Sequence, residues 1–143
     1  DFEPPKVAVV VDGRSFSREL IEGSGEFVLS IPTKAIADKV LAVGSQSGRE
    51  MDKFAAYSVA TLPAAEVQAP LIDSCVAWLE CRVIPEAHNQ KRYDLFIAEV
   101  VAAWADPSVF NNGRWSFKSD DERTIHYIAG GSFLSSGEGF EVK

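Results

Sequence analysis

The chain has 143 residues, a length that suits one hydrophobic core. Apolar residues make up 46% and charged residues 24%, which excludes a disordered segment. A formal net charge of −7 opposes binding to nucleic acid or anionic lipid, and no apolar run approaches membrane-spanning length and no signal peptide is recognised, so a cytoplasmic protein is expected.

Strand signals outnumber helix signals along the chain. Residues 7–11 are a β-branched run, preceded by Pro4 and Pro5 and closed by Asp12-Gly13, and read as a buried strand. Ser15 or Ser17 can cap a short helix reaching about Glu22, which Gly23 and Gly25 end. Residues 27–31 form the next strand, stopped by Pro32. Thr33 can cap a second helix, whose apolar positions Ile36, Val40 and Val43 fall at i, i+4 and i+7. Lys34, Asp38 and Lys39 lie between them, and Gly44 is placed to end it. After a polar loop, residues 51–58 suit one or two helical turns. Pro63 and Pro70 bracket a short extended piece around Val67.

Residues 75–83 alternate. Cys75, Ala77, Leu79, Cys81 and Val83 share one face, with Trp78, Glu80 and Arg82 on the other. Residues 87–91 read as a polar turn and 93–105 as a long apolar strand, so the two strands make a hairpin. Beyond Asp106-Pro107 the pattern is irregular, with Trp115 and Phe117 as candidate core anchors. Residues 125–128 are a last strand before the Gly130-Gly131 turn. The sum is a mainly β chain, one domain over 1–143, built as a closed or nearly closed antiparallel Greek-key barrel with a few short helices.

Cys75 and Cys81, placed in one strand, would stand roughly 20 Å apart, too far to bridge within it. Buried free thiols are expected. With two histidines and no CxxC, no metal site is expected.

The loop Gly44-Ser45-Gln46-Ser47-Gly48-Arg49, continuing to Lys53, concentrates chemistry. Its glycines let main-chain N–H groups converge on an oxyanion, Ser45 and Ser47 add hydroxyl donors, and Arg49 and Lys53 add positive charge. A polar helix-to-helix connection fits the same pattern. Ser15 and Ser17, at a helix start beside Arg14 and Arg18, form a second candidate anion site, with simple N-capping as the alternative. His88 and His126 read as surface or structural histidines. Nothing resembles a nucleophile elbow, and Glu80 and Glu99 are expected to pair with neighbouring arginines.

Five segments, in order, resemble the flavin reductase-like family of FMN-binding split β-barrel proteins. They are RSFSRELIEGSGEFVLSIP (14–32), GSQSGREMDKF (44–54), VQAPLIDSCVAWLECRV (67–83), DLFIAEVVAAWAD (94–106) and HYIAGGSF (126–133). The resemblance implies a homodimeric split barrel that holds FMN non-covalently and passes electrons from NAD(P)H to an acceptor. The flavin carries that chemistry, so no catalytic residue is expected. By position, Ser17 and Lys53 match sites near the flavin phosphate and ribityl chain. Ser45, Ser47 and Arg49 lie in the same segment, and Phe133 matches an aromatic near the flavin or nicotinamide.

Two departures stand out. The family pattern begins several dozen residues upstream of Asp1, with two strands and a loop that touch the flavin ring, so the N-terminal strands are expected to be missing here. Tyr93 stands where many members carry a histidine that meets the nicotinamide. Two other readings stay open: a flavoredoxin-like electron carrier without its own NAD(P)H activity, and a flavin-free structural barrel.

Overall fold

The computed structural model describes residues 1–142. In chain order the elements are β1 (Lys6–Val10), α1 (Phe16–Ser24), β2 (Glu26–Ile31), α2 (Ala37–Gly44), α3 (Lys53–Ala56), β3 (Thr61–Leu62), β4 (Leu71–Ile72), β5 (Ala77–Ile84), α4 (Ala87–Tyr93), β6 (Leu95–Ala105), β7 (Phe110–Asn111), β8 (Arg114–Trp115), β9 (Ile125–Ala129) and β10 (Ser132–Ser135). Short 3₁₀ turns lie at Lys34–Ile36 and Asp120–Glu122.

The central sheet is antiparallel with strand order β1-β6-β5-β2. The long β5–β6 hairpin sits inside, and β1 and β2 flank it from outside. β3–β4, β7–β8 and β9–β10 are separate two-stranded pairs. The chain is thus mainly β with few helices, as the alternating patterns require. Phe27, Cys81 and Ala98, one from each of three neighbouring strands, form the buried centre, and Val7, Val9, Ile21, Leu29, Leu79, Val83 and Val100 pack around them. Removing this apolar surface from water is the main stabilising term.

The capping chemistry acts largely as expected. Ser15 caps α1, its hydroxyl accepting the N–H of Arg18 at 3.1 Å. Gly25 ends α1 in the left-handed conformation, at φ 72°, where a Cβ would be strained. Thr33 precedes the 3₁₀ turn but makes no side-chain cap, and α2 starts only at Ala37.

Several expectations need correction. Cys75 precedes β5 and is not part of it; both cysteines are buried and free. Burial pushes both thiols up to about 11, so they stay protonated at neutral pH. Residues 87–91 belong to helix α4 rather than a turn, because Ala87, Gln90, Lys91 and Arg92 are good helix formers even without apolar periodicity. Tyr93 ends that helix, and β6 begins at Leu95. The extended pieces near Pro63 and Pro70 lie outside the bracket, as β3 and β4, while Val67 is buried in irregular chain. Trp115 is not a core anchor. It is 44% exposed and lies between Phe110 and Phe117, with ring centroids 4.9 and 5.8 Å away. The Gly130-Gly131 turn leads into one further strand, β10.

The largest correction concerns Glu80. It is fully buried and pairs with no arginine. Its carboxylate accepts the N–H of Ala65 at 3.0 Å and of Glu66 at 2.6 Å, and the indole N–H of Trp104 at 2.7 Å. Its neighbours on that face do similar work: Trp78 donates to the Ile72 carbonyl at 2.9 Å and Arg82 to the Glu66 carbonyl at 2.6 Å. The polar face of β5 is therefore a template that fastens residues 65–72 over the sheet. Glu99, by contrast, stands directly opposite Arg82 and Lys6 in the strand register, a favourable cross-strand arrangement.

Burial alone would push the Glu80 carboxyl up, but hydrogen bonds from the backbone of Ala65, Glu66 and Val67 and from Trp104 outweigh it. They hold the group below its ordinary 4.5. A folded value below the unfolded one contributes stability that is complete above the unfolded value and is lost as pH falls through the folded value. Glu80→Gln turns an amide donor toward backbone donors and is expected to cost about 2–4 kcal/mol. Urea unfolding at pH 7 checks the cost. The gap between variant and parent should shrink below pH 4.5, and a gap independent of pH would show that the carboxylate charge is irrelevant.

Candidate functional site

A cavity of about 1000 Å³ opens between the start of α1, helix α2 and the loop that joins α2 to α3. Ser15, Ser17, Ser45, Ser47, Arg49 and Lys53 all line it. Two segments separated by some thirty residues, each read as a possible anion site, thus line one cavity. Its size lies at the upper end of the range for small-molecule pockets. Pro32, Ile36, Val40, Val43, Val59 and Ile72 give it an apolar lining. Hydroxyls and cations lie among these residues in the same lining.

The start of α1 is held rigidly. Asp12 accepts the backbone N–H of Arg14 at 2.8 Å and its guanidinium at 3.0 Å. The Arg14 hydrogen bond lowers Asp12 to about 2, so it stays ionised across the physiological range. Arg18, on the first turn, is 6% exposed. It donates to Glu22 at 2.7 Å, to Asp94 at 2.9 Å, and to the carbonyls of Val11 at 3.2 Å and Gln90 at 2.7 Å. Its guanidinium also stacks 4.7 Å from the centre of the Phe96 ring. One side chain thus ties α1 to the end of β1, to α4 and to β6.

The 45–52 loop is docked onto α1. Arg49 donates to Glu19 at 2.8 Å and to the Arg14 carbonyl at 2.9 Å, and stacks over Phe16 at 5.6 Å. Gly48 lies against Phe16 so closely that a Cβ would meet the ring at 2.8 Å. Gly48→Ala is therefore expected to lift the loop, at a cost of about 1 kcal/mol, and to speed hydrogen exchange of amides 45–50. Unchanged exchange would mean that the ring has room to turn aside.

The donors differ in what they have left to give. Ser15 and Ser47 accept backbone N–H groups, from Arg18 and Arg49, so each hydroxyl proton remains free to donate. Ser45 instead donates to the Leu41 carbonyl at 2.7 Å. Lys53 donates to the Val43 carbonyl at the end of α2 and has two further N–H bonds to offer. Among the described residues it faces no carboxylate within ion-pair distance. Asp52, beside it, is engaged as the cap of α3 by the N–H groups of Phe54 and Ala55.

Phe133 does not line the cavity. It stands on β10, half-buried against Tyr127 at 5.2 Å. Sequence reasoning also passed over Lys39, which lines the cavity. The signal was present: Lys39 is three residues after Ile36 and four before Val43, hence on the same helical face as that apolar pair.

The family model described as "Flavin reductase like domain" matches residues 1–124. The uncharacterized protein YddH of Escherichia coli is 44% identical over 139 residues, 96% of this chain and 74% of YddH. The crystal structure of an FMN-binding domain of a flavin reductases-like enzyme from Shewanella baltica superposes with a TM-score of 0.95 at 46% identity, over 100% of this chain and 76% of that one. Flavoredoxin of Desulfovibrio vulgaris superposes with a TM-score of 0.84 over 99% of this chain and 75% of its own, and at 22% identity it shows the shared fold.

Proposed function

The chain belongs to the flavin reductase-like family of split-barrel proteins, and from that premise we propose that it holds FMN in the cavity between α1 and α2 as part of an NAD(P)H-dependent oxidoreductase. The observation that carries this reading is that Ser15, Ser17, Ser47 and Lys53 line one cavity whose lining also includes Pro32, Ile36, Val40, Val43, Val59 and Ile72. That donor set suits a dianionic phosphate ester joined to a flat, largely apolar ring system. FMN, when bound, supplies hydride acceptance from reduced nicotinamide and onward electron transfer.

The protein's own part is binding and orientation. The free hydroxyl protons of Ser15 and Ser47, the amides of the docked loop and the Lys53 ammonium receive the phosphate, with Ser17 beside them. Arg49 is already neutralised by Glu19, so its part is to strap the loop to α1 rather than to meet the ligand. Ser45 contributes its backbone more readily than its hydroxyl, which is committed to Leu41. Phe133 lies outside this cavity's lining. Exposed Tyr127, Ile128 and Leu134 on the β9–β10 hairpin support assembly as a homodimer. Among the described residues no helix is long and apolar enough to cross a membrane, and a cytoplasmic location goes with this reading.

A second reading is favoured by Tyr93. It is 58% exposed at the end of α4, where the resemblance calls for a histidine, and its ring meets His88 edge-on at 5.7 Å. The chain would then carry electrons between proteins without oxidising NAD(P)H. One experiment separates the readings. The protein is mixed with FMN, free flavin is removed, and NADH or NADPH is added. Retained flavin colour with rapid nicotinamide oxidation supports the oxidoreductase, and retained colour without oxidation supports the carrier. A colourless protein rejects both and leaves a flavin-free barrel.

A further inference from the structure

Four cationic side chains line the cavity: Arg14, Lys39, Arg49 and Lys53. Their charges are not equally available. Arg14 is paired with Asp12 at 3.0 Å and Arg49 with Glu19 at 2.8 Å. The one carboxylate in the wall, Asp52, is turned to the N–H groups of α3. Lys39 and Lys53 alone among these cations are held by carbonyl oxygens and not by carboxylates, among the described residues. The two lysines form a reciprocal clasp. Lys39, on α2, donates to the Ser58 carbonyl just beyond α3 at 3.2 Å. Lys53, on α3, donates to the Val43 carbonyl near the end of α2.

A lysine held by one carbonyl keeps its full positive charge and two unused N–H bonds. Both lysines are half-buried, so water screens their charges less than it would those of fully exposed lysines. In a chain with a net charge of −7, two such unneutralised cations lining one cavity mark where negative charge is wanted.

We propose that Lys39 is a second cation of this site, which together with Lys53 sets the preference for a phosphorylated over an unphosphorylated ligand. The proposal rests on the FMN reading and deepens it. It assigns the charge discrimination to α2 as well as to the 45–53 segment. The tie to Ser58 orients the ammonium, and the phosphate competes for its remaining protons.

The test compares FMN with riboflavin, which share the ring and ribityl chain and differ only in the phosphate. Dissociation constants are measured for the parent, Lys39→Gln and Lys39→Arg, by flavin fluorescence, at low and at moderate salt. Lys39→Gln is expected to weaken FMN about five- to tenfold while moving riboflavin by less than about twofold, and the FMN effect should shrink with salt. Lys39→Arg should restore most of the loss, since it keeps the charge. An unchanged FMN constant in Lys39→Gln overturns the proposal. So does an equal loss for both flavins, which would make the bond to Ser58 the whole of its role. A parent protein that binds neither flavin overturns the FMN reading itself, and the proposal with it.

Discussion

Lys53→Ala should weaken FMN binding by about 1.5–3 kcal/mol, or about ten- to a hundredfold in the dissociation constant, the scale of a charged hydrogen bond. The size follows from its position. Lys53 lies in the wall between the α2 terminus and the serine loop, with no competing carboxylate within ion-pair distance among the described residues. Part of the loss is indirect, because the ammonium also binds the Val43 carbonyl and so closes the 45–52 loop at its base. Lys53→Arg keeps the charge but not the compact ammonium and should lose less. Riboflavin affinity separates the two contributions: the loop effect weakens both flavins, the charge effect only the phosphorylated one. FMN bound equally well by Lys53→Ala would remove this lysine from the site.

Arg18→Leu should lower the stability of the protein by about 2–4 kcal/mol, since a buried guanidinium that makes four hydrogen bonds is replaced by a side chain that can make none of them. The carbonyls of Val11 and Gln90 lose their donor. Asp94 and Glu22 are each about half exposed and regain water, which keeps the cost below that of two stranded buried charges. Leucine retains apolar contact with Phe96 and so isolates the polar loss. Denaturant unfolding measures the change as a lower midpoint. A midpoint shift equivalent to less than about 0.5 kcal/mol, the range of ordinary surface substitutions, would mean that the bonds of Arg18 merely replace equally good bonds to water. The flavin affinity of the variant at low temperature should also fall, because α1 presents Ser15 and Ser17 from a position that Arg18 holds.

The elements easiest to read were those whose local pattern and tertiary role coincide. β2 and the start of β6 alternate or run apolar because one or both faces are buried, so their residues announce them. Ser15 and Gly25 mark α1 because capping is a property of a few adjacent residues. Helix α4 was misread because its stability comes from polar helix formers and from partners elsewhere. Its Gln90 carbonyl is met by Arg18, seventy-two residues earlier. Trp115 looked like a core residue because aromatic side chains usually are, yet it is exposed and stacks on the half-buried Phe117.

At the site, the serines, Arg49 and Lys53 were legible as a donor-rich loop, but their division of labour was not. Whether an arginine meets a ligand or straps a loop depends on whether a carboxylate lies within reach, and Glu19 is thirty residues from Arg49. Lys39 had a helical-face signal in the sequence, but that it and Lys53 line one cavity shows only in the folded chain.

What the amino-acid sequence determined by itself was the class of fold and the family, because these depend on residue periodicity and on motifs of adjacent residues. What only the tertiary structure decided was which charges are spent and which are free, and why Glu80 is buried. Charge neutralisation and desolvation are set by distances between residues far apart in the chain, and no local pattern records those distances.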